Sequence, residues 1–343
     1  MNSTITPSKR RPRGISVSVA IQRPRRKSKT LQIRNVLVTT DFSPASLQAI
    51  EVALPLIKSF SSDLHLVHVV PPDYPFSTLA DLPMVLPEPE IGQRIRRRLH
   101  ETATKYSVPL RPKNIHALKG RPFEQICQLA RDLNIDMIVT ATRGLTGLKH
   151  LTLGSTAERV VRYSPCPVLV VRPQKRKSGN GKFAQQRFKK ILVPIDFSDC
   201  SKKGLNYAKA LASRFGSKVV LLNSIALEYY FTNDEYARYD FPDLARSAEK
   251  WAREQMRDLV QNTDWDKLNV ETSLEIGHAG QQICERAEGS GIDLIVTSTH
   301  GRTGFKHVLL GSTAEYVVRH APCSVLVVPS HERLVMTSTA KRL

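Results

Sequence analysis

Residues 144–158 read GLTGLKHLTLGSTAE, and residues 301–315 read GRTGFKHVLLGSTAE. The likeness extends well past these stretches. Between 143–171 and 300–328, 20 of 29 positions are identical. NVLVTTDFSPAS at 35–46 matches KILVPIDFSDCS at 190–201, and GRPFEQIC at 120–127 matches GHAGQQIC at 277–284. A duplication of this length constrains the fold more than any composition figure, because whatever the first copy builds the second must build again. A chain of 343 residues divides into two units of ordinary domain size. The reading is a tail over 1–30, a first domain over 31–172, a linker over 173–187, a second domain over 188–330 and a short tail over 331–343.

Within each copy, short β-branched runs alternate with longer stretches of helical period. VLVTT, LHLVHV, NIHAL, DMIVTA and PVLVV read as strands in the first copy. ILVPI, VVLLNS, VETSL, DLIVTS and SVLVV read as strands in the second. Most of these runs are nearly continuous in Val, Ile and Leu, as strands covered on both faces are. The stretch SPASLQAIEVALPLIKSF between the first two runs has apolar residues at helical spacing. The expected class is α/β, with two tandem doubly wound domains. Each is a five-stranded, mainly parallel sheet with helices on both faces. Ligands in such sheets sit beyond the carboxyl ends of the strands, where strand order reverses.

The formal charge of +20 suggests a nucleic-acid binder until it is located. Residues 1–34 hold 10 Lys and Arg with no acid, residues 172–190 hold 8 with no acid, and residues 331–343 add a net two. Those tracts account for the whole excess, so the two globular units are together near neutral. Polar, acid-free tracts of this kind read as unstructured tail and tether. They could also hold a phosphate polymer or anionic surface through counterion release. The Arg- and Ser-containing start fits an organelle transit peptide as well, but it lacks the apolar core of a secretory signal. No uncharged apolar run is long enough to span a membrane, and the expected location is cytoplasmic. Five cysteines without a C-x-x-C pair argue against zinc and for small buried thiols in a reducing compartment.

The repeated loop follows a strand and precedes a helix, so it lies at the carboxyl edge of the sheet. Gly144 and Gly147, like Gly301 and Gly304, can take positive φ and leave backbone N–H groups uncovered. Gly154-Ser155-Thr156 and Gly311-Ser312-Thr313 then open a helix whose free N–H groups favour an anion. Local stability offers a competing explanation for part of this pattern. Ser155-x-x-Glu158 and Ser312-x-x-Glu315 fit capping boxes, although capping does not require the glycines. Asp41 and Asp196 end the first strand of each copy, where a carboxylate can hold ribose hydroxyls or an amine edge. The same acids, and Ser43 and Ser198 after them, also fit helix N-caps. His68 corresponds to Asn223 in the second copy, which speaks for a polar strand-end role and against acid/base catalysis. Arg143 and His300 occupy matching loop positions. There is no G-x-x-x-x-G-K-[ST], no G-x-G-x-x-G after the first strand, and no matched nucleophile and base.

The segments VLVTTDFS, ILVPIDFS, ATRGLTGLKHLTLGSTAERVVRYSPCPVLVV and STHGRTGFKHVLLGSTAEYVVRHAPCSVLVV resemble the universal stress protein family. The resemblance covers both halves, leaving only the tails and the linker outside it. Its ATP-binding branch carries G-x-x-G-x9-G-[ST]. The last two glycines and the hydroxyl fall on Gly144, Gly154 and Ser155, and on Gly301, Gly311 and Ser312. The first glycine is replaced by Ala141 and Ser298. The resemblance implies an adenine nucleotide alpha hydrolase-like fold that binds ATP, with magnesium, or AMP or ADP, and acts in stress response. It implies that Asp41 and Asp196, with backbone at Val69 and Ser224, hold the adenosine part. It further implies pairing through Val168–Val171 and Val325–Val328, within one chain or in a homodimer. The expected protein is a non-catalytic or slowly hydrolysing binder with two sites. The alternative is a scaffold that binds no nucleotide, tethered to nucleic acid or anionic surfaces by its basic tracts.

Overall fold

The computed structural model describes residues 17–18, 31–72, 88–107, 110–142, 153–172, 188–226, 241–301 and 310–330. The first half runs β2 (Asn35–Thr39), α1 (Pro44–Phe60), β3 (Asp63–Val70), α2 (Glu88–Lys105), β4 (Ile115–Lys119), α3 (Pro122–Asp132), β5 (Met137–Ala141), α4 (Ser155–Tyr163) and β6 (Val168–Val171). The second half repeats it as β7 (Lys190–Pro194), α5 (Asp199–Phe215), β8 (Lys218–Ile225), α6 (Phe241–Asn262), β9 (Val270–Ile276), α7 (Ala279–Gly289), β10 (Leu294–Ser298), α8 (Ser312–His320) and β11 (Ser324–Val328). A two-residue strand, β1 (Val17–Ser18), precedes both. The sequence reading treats residues 1–30 as unstructured; at Val17–Ser18 the chain instead pairs with β9.

Each half orders its five parallel strands the same way, β6-β5-β2-β3-β4 and β11-β10-β7-β8-β9. The chain first builds outward from β2 or β7, then crosses back to place β5 or β10 on the other side. The reversal therefore lies between β2 and β5, and between β7 and β10, and Asp41 and Asp196 follow the strands at that point. Along β2 the side chains alternate, Val36 and Val38 packing with α1 and α2 and Leu37 with α3 and α4. Helices α1, α2, α5 and α6 cover one face, and α3, α4, α7 and α8 cover the other. This two-sided cover explains the runs of fully buried Val, Ile and Leu.

The halves join edge to edge. β6 and β11 pair antiparallel, with Val168 opposite Val327, Leu169 opposite Leu326 and Val170 opposite Val325. Of the two pairings that the resemblance implies, the chain makes the internal one. With β5 and β10 on their other sides, neither strand keeps a free edge for a second copy. Two side-chain contacts reinforce the seam. Arg172 donates from Nη2 to the carbonyls of Val318 (3.1 Å) and Arg319, near the carboxyl end of α8, where a cation opposes the helix dipole. Arg319 reaches back to Glu158 of α4 at 3.2 Å.

Candidate functional site

The site begins where β2 and β7 end. After each strand the chain makes the same tight turn. Ser43 and Ser198 are the N-caps of α1 and α5, accepting from the amides of Ser46 and Ser201 at 3.2 Å. Asp41 and Asp196 are not the caps. Each instead accepts the amide of the capping serine on Oδ1 at 3.0 Å, and Asp196 also accepts the Ser198 hydroxyl at 2.6 Å. Between acid and cap stand Phe42 and Phe197, with φ of 65° and 66°. A left-handed phenylalanine is costly, and strain repeated at the same place in both copies marks a position that the surrounding structure enforces. Nothing in the sequence announced it, because Phe has no preference for this region.

The strand beside it holds the turn. His68 Nδ1 lies 2.8 Å from the carbonyl of Thr40, which requires the Nδ1–H tautomer because a carbonyl only accepts. Asn223 Nδ2 donates to the carbonyl of Ile195 at 2.7 Å. His and Asn thus do one job, satisfying the carbonyl of the residue before the aspartate, as a strand-end polar role demands. Burial lowers the His68 pKa, against the opposing pull of the Thr40 bond and the Asp41 charge. Val69 and Ser224 follow on the same strands, paired with Leu118 and Glu275. The Ser224 hydroxyl donates to the carbonyl of Gly277 at 2.7 Å.

Ala141 and Ser298 are the last residues of β5 and β10, and neither has positive φ. A small side chain is therefore tolerated where the family pattern has glycine. Ser298 uses its hydroxyl to bond the carbonyl of His300 at 2.8 Å. The His300 ring is tied back to the sheet, its Nδ1 lying 2.9 Å from Thr299 Oγ1 and 3.1 Å from Ser330 Oγ. Gly301 does not sit in the left-handed region, so its reason is not the one read from sequence. A Cβ there would stand 2.6 Å from Asp196 Oδ2. The carboxylate and the start of the glycine loop are thus in direct contact. Arg143, Gly144, Gly147 and Gly304 lie outside the described residues, so the corresponding contact in the first half does too.

The far end of each loop returns to the sheet through one bond, Gly154 N to Thr142 O and Gly311 N to Thr299 O, both 2.7 Å. Gly154 and Gly311 are the N-caps of α4 and α8, with ordinary φ of −65° and −71° and no side-chain cap bond. A Cβ on Gly311 would meet the Thr299 carbonyl at 3.2 Å, so close backbone approach explains this glycine. The capping-box reading of Ser155 and Ser312 is overturned. Both serines are the first helical residues and sit exposed. Glu158 and Glu315 are engaged with arginines, at 3.2 Å and 2.9 Å from Arg319. The serine hydroxyls, with Thr156 and Thr313 beside them in the first turn, are thereby left outside any cap, at helix starts that carry partial positive charge.

Each half therefore gathers an aspartate, a strand-end backbone and an uncapped helix start at one carboxyl edge beside the reversal of strand order. Among the described residues, no group of three or more His, Cys, Asp or Glu could hold a metal ion, and no helix is long and apolar enough to cross a membrane. Cys127, Cys166 and Cys323 are buried, all five cysteines are free, and burial pushes the Cys323 thiol up to about 12.

A universal stress protein of Methanocaldococcus jannaschii is 30% identical over 152 residues, which is 42% of this chain and 85% of that protein. One from Synechocystis is 30% identical over 148 residues, 40% of this chain and 96% of its own length. Such relatives match about one half of the chain. A universal stress protein structure from Archaeoglobus fulgidus shares the fold across both halves, with a TM-score of 0.56 over 88% of this chain and 98% of that one, at 22% identity. The sequence model of the Universal stress protein family matches twice, over residues 32–172 and 187–329. On these matches, and on a fold repeated strand for strand, the chain belongs to the universal stress protein family.

Proposed function

We propose that each half binds one adenine nucleotide, ATP in the first instance, and that the protein acts in the stress response as a two-site sensor of nucleotide occupancy. The observation that carries this reading is the contact between Asp196 and Gly301. It joins the carboxylate suited to a nucleoside with the loop suited to phosphates, at the reversal of strand order where α/β sheets take their ligands. Asp41 and Asp196, with backbone at Val69 and Ser224, face the adenosine part. The helix starts at Ser155 and Ser312 take the triphosphate, through N–H groups, hydroxyls and the helix dipole. Magnesium arrives on the triphosphate itself. AMP and ADP fit the same groups with fewer phosphate contacts.

Hydrolysis is slow in this reading. His68, which feels the Asp41 charge, is committed to a carbonyl, its counterpart Asn223 cannot act as a base, and His300 beside Gly301 is bonded to Thr299 and Ser330. Nucleotide binding shifts the population of surfaces that partners read. Isothermal titration of the full chain with ATP and magnesium tests the proposal. Saturable binding at two sites per chain supports it. Absence of heat, together with an unchanged melting temperature at millimolar nucleotide, refutes it in favour of the scaffold reading.

A further inference from the structure

The sheet has two outer edges, and the chain treats them differently. In the first half the edge strand is β4, whose Ile115 carbonyl accepts from Arg96 Nη1 of α2 at 3.1 Å. In the second half the edge strand is β9, and β1 lies on it, antiparallel, with Val17 opposite Thr272 and Ser18 opposite Glu271. We propose that the β9 edge is a strand-addition surface whose occupant is this chain's own N-terminal segment, so that the tail closes the edge of the domain farther from it in sequence.

Charge explains the choice of edge. The segment around β1 lies in a tract of 10 Lys and Arg with no acid over residues 1–34. β9 reads VETSLEI and carries Glu271 and Glu275, whereas β4 reads IHALK, ends in Lys119 and follows Lys113. The strand residues 15–21 are themselves uncharged, so the preference acts through the flanking basic tract, which is drawn to the acidic edge and repelled by the basic one. The sequence of residues 15–21, ISVSVAI, alternates apolar and small residues at the strand period.

Reach permits it. β1 and β2 stand eight strand positions apart in the sheet, about 38 Å at the usual spacing. β1 runs in the same direction as β2, because β9 is antiparallel to it and the two halves are antiparallel to each other. The chain must therefore also return along one strand length, giving a path of roughly 42 Å. The 17 steps from residue 18 to residue 35 extend to about 56 Å.

The location matters for stability. Glu271 is buried, 2.7 Å from Lys218 and 2.6 Å from Arg286, so the strand is added directly over an ion network. An exposed edge strand also invites pairing with other chains, and a bonded tail removes that template.

The test uses the full chain with Val17→Cys and Thr272→Cys. Residues directly opposite on antiparallel strands have Cα atoms about 4.5–5.5 Å apart, within disulfide range. Mild oxidation should link 17 to 272 within one chain, seen as a linked peptide from a band of monomer mass. Separately, Val17→Pro should raise hydrogen exchange of the 270–276 amides on the order of tenfold while leaving 115–119 unchanged. No link, or equal exchange with and without the proline, overturns the proposal. A link found only between chains shows a second copy on the edge and overturns the assignment of the occupant.

Discussion

Replacing Gly301 with alanine probes the junction on which the proposed site depends. The new Cβ would stand 2.6 Å from Asp196 Oδ2, well inside ordinary carbon–oxygen contact of about 3.2 Å or more. Aspartate has too short a side chain to move one oxygen without the other. Turning the carboxylate away pulls Oδ1 from the Ser198 hydroxyl at 2.6 Å and the Ser198 amide at 3.0 Å. Hydrogen bonds to a charged group contribute about 1.5–3 kcal/mol each, and partial weakening of both gives an expected cost of about 1–3 kcal/mol. At roughly 2–4 °C per kcal/mol for domains of this size, the melting temperature should fall by about 2–12 °C. The cause is separable by a double-mutant cycle with Asp196→Ala. With the carboxylate gone the alanine meets nothing at that position, and its cost should drop below about 0.5 kcal/mol. Thermal or urea unfolding of the four proteins gives the coupling energy directly. Additive effects would show that the glycine is there for some other reason, and the contact could no longer support the site.

Exchanging His68 for asparagine should cost under about 1 kcal/mol, because Asn223 already serves the matching carbonyl; His68→Leu should cost about 1–3 kcal/mol by orphaning the Thr40 carbonyl. Urea unfolding of both variants checks this, and equal losses would refute the shared role. His65 Nδ1 and His116 Nε2 lie 3.2 Å apart. Burial, then the neighbouring His65 and Arg96, lowers His116 to about 4. The folded state thus binds the proton more weakly than the unfolded chain does. The stability this contributes is complete above about pH 6.5 and is lost as the pH falls from there towards 4. Melting curves between pH 7 and 4.5 should show a smaller fall for His116→Gln than for the wild type, and parallel curves would exclude the pair as a source.

Much of this architecture is legible in the sequence because the chain states it twice. The strands and the helices between them follow from repeated period and burial, which are local properties; the pairing of Val168–Val171 with Val325–Val328 is implied only by the family resemblance, and the sheet register shows that it forms within the chain. What escaped the reading depends on contacts made by the folded sheet. Ser155-x-x-Glu158 has the spacing of a capping box, but the bond from Gly154 N to Thr142 O fixes the helix start one residue earlier, a tertiary constraint. Gly301 reads as a positive-φ glycine and Gly311 as the opening of a helix, whereas both are close-approach glycines, a distinction that needs the partner atom in place. The left-handed Phe42 and Phe197 carry no compositional mark. The β1 strand did carry one, in the alternation of ISVSVAI, but the surrounding basic residues masked it.

The most direct measurement of the central claim is the stoichiometry of ATP binding to the full chain and to variants that remove one aspartate at a time. Titration calorimetry should find two sites in the wild type, one strong site in either Asp41→Ala or Asp196→Ala, and none of comparable affinity in the double variant. Two unaltered sites in the double variant, or no binding in the wild type, would contradict the account.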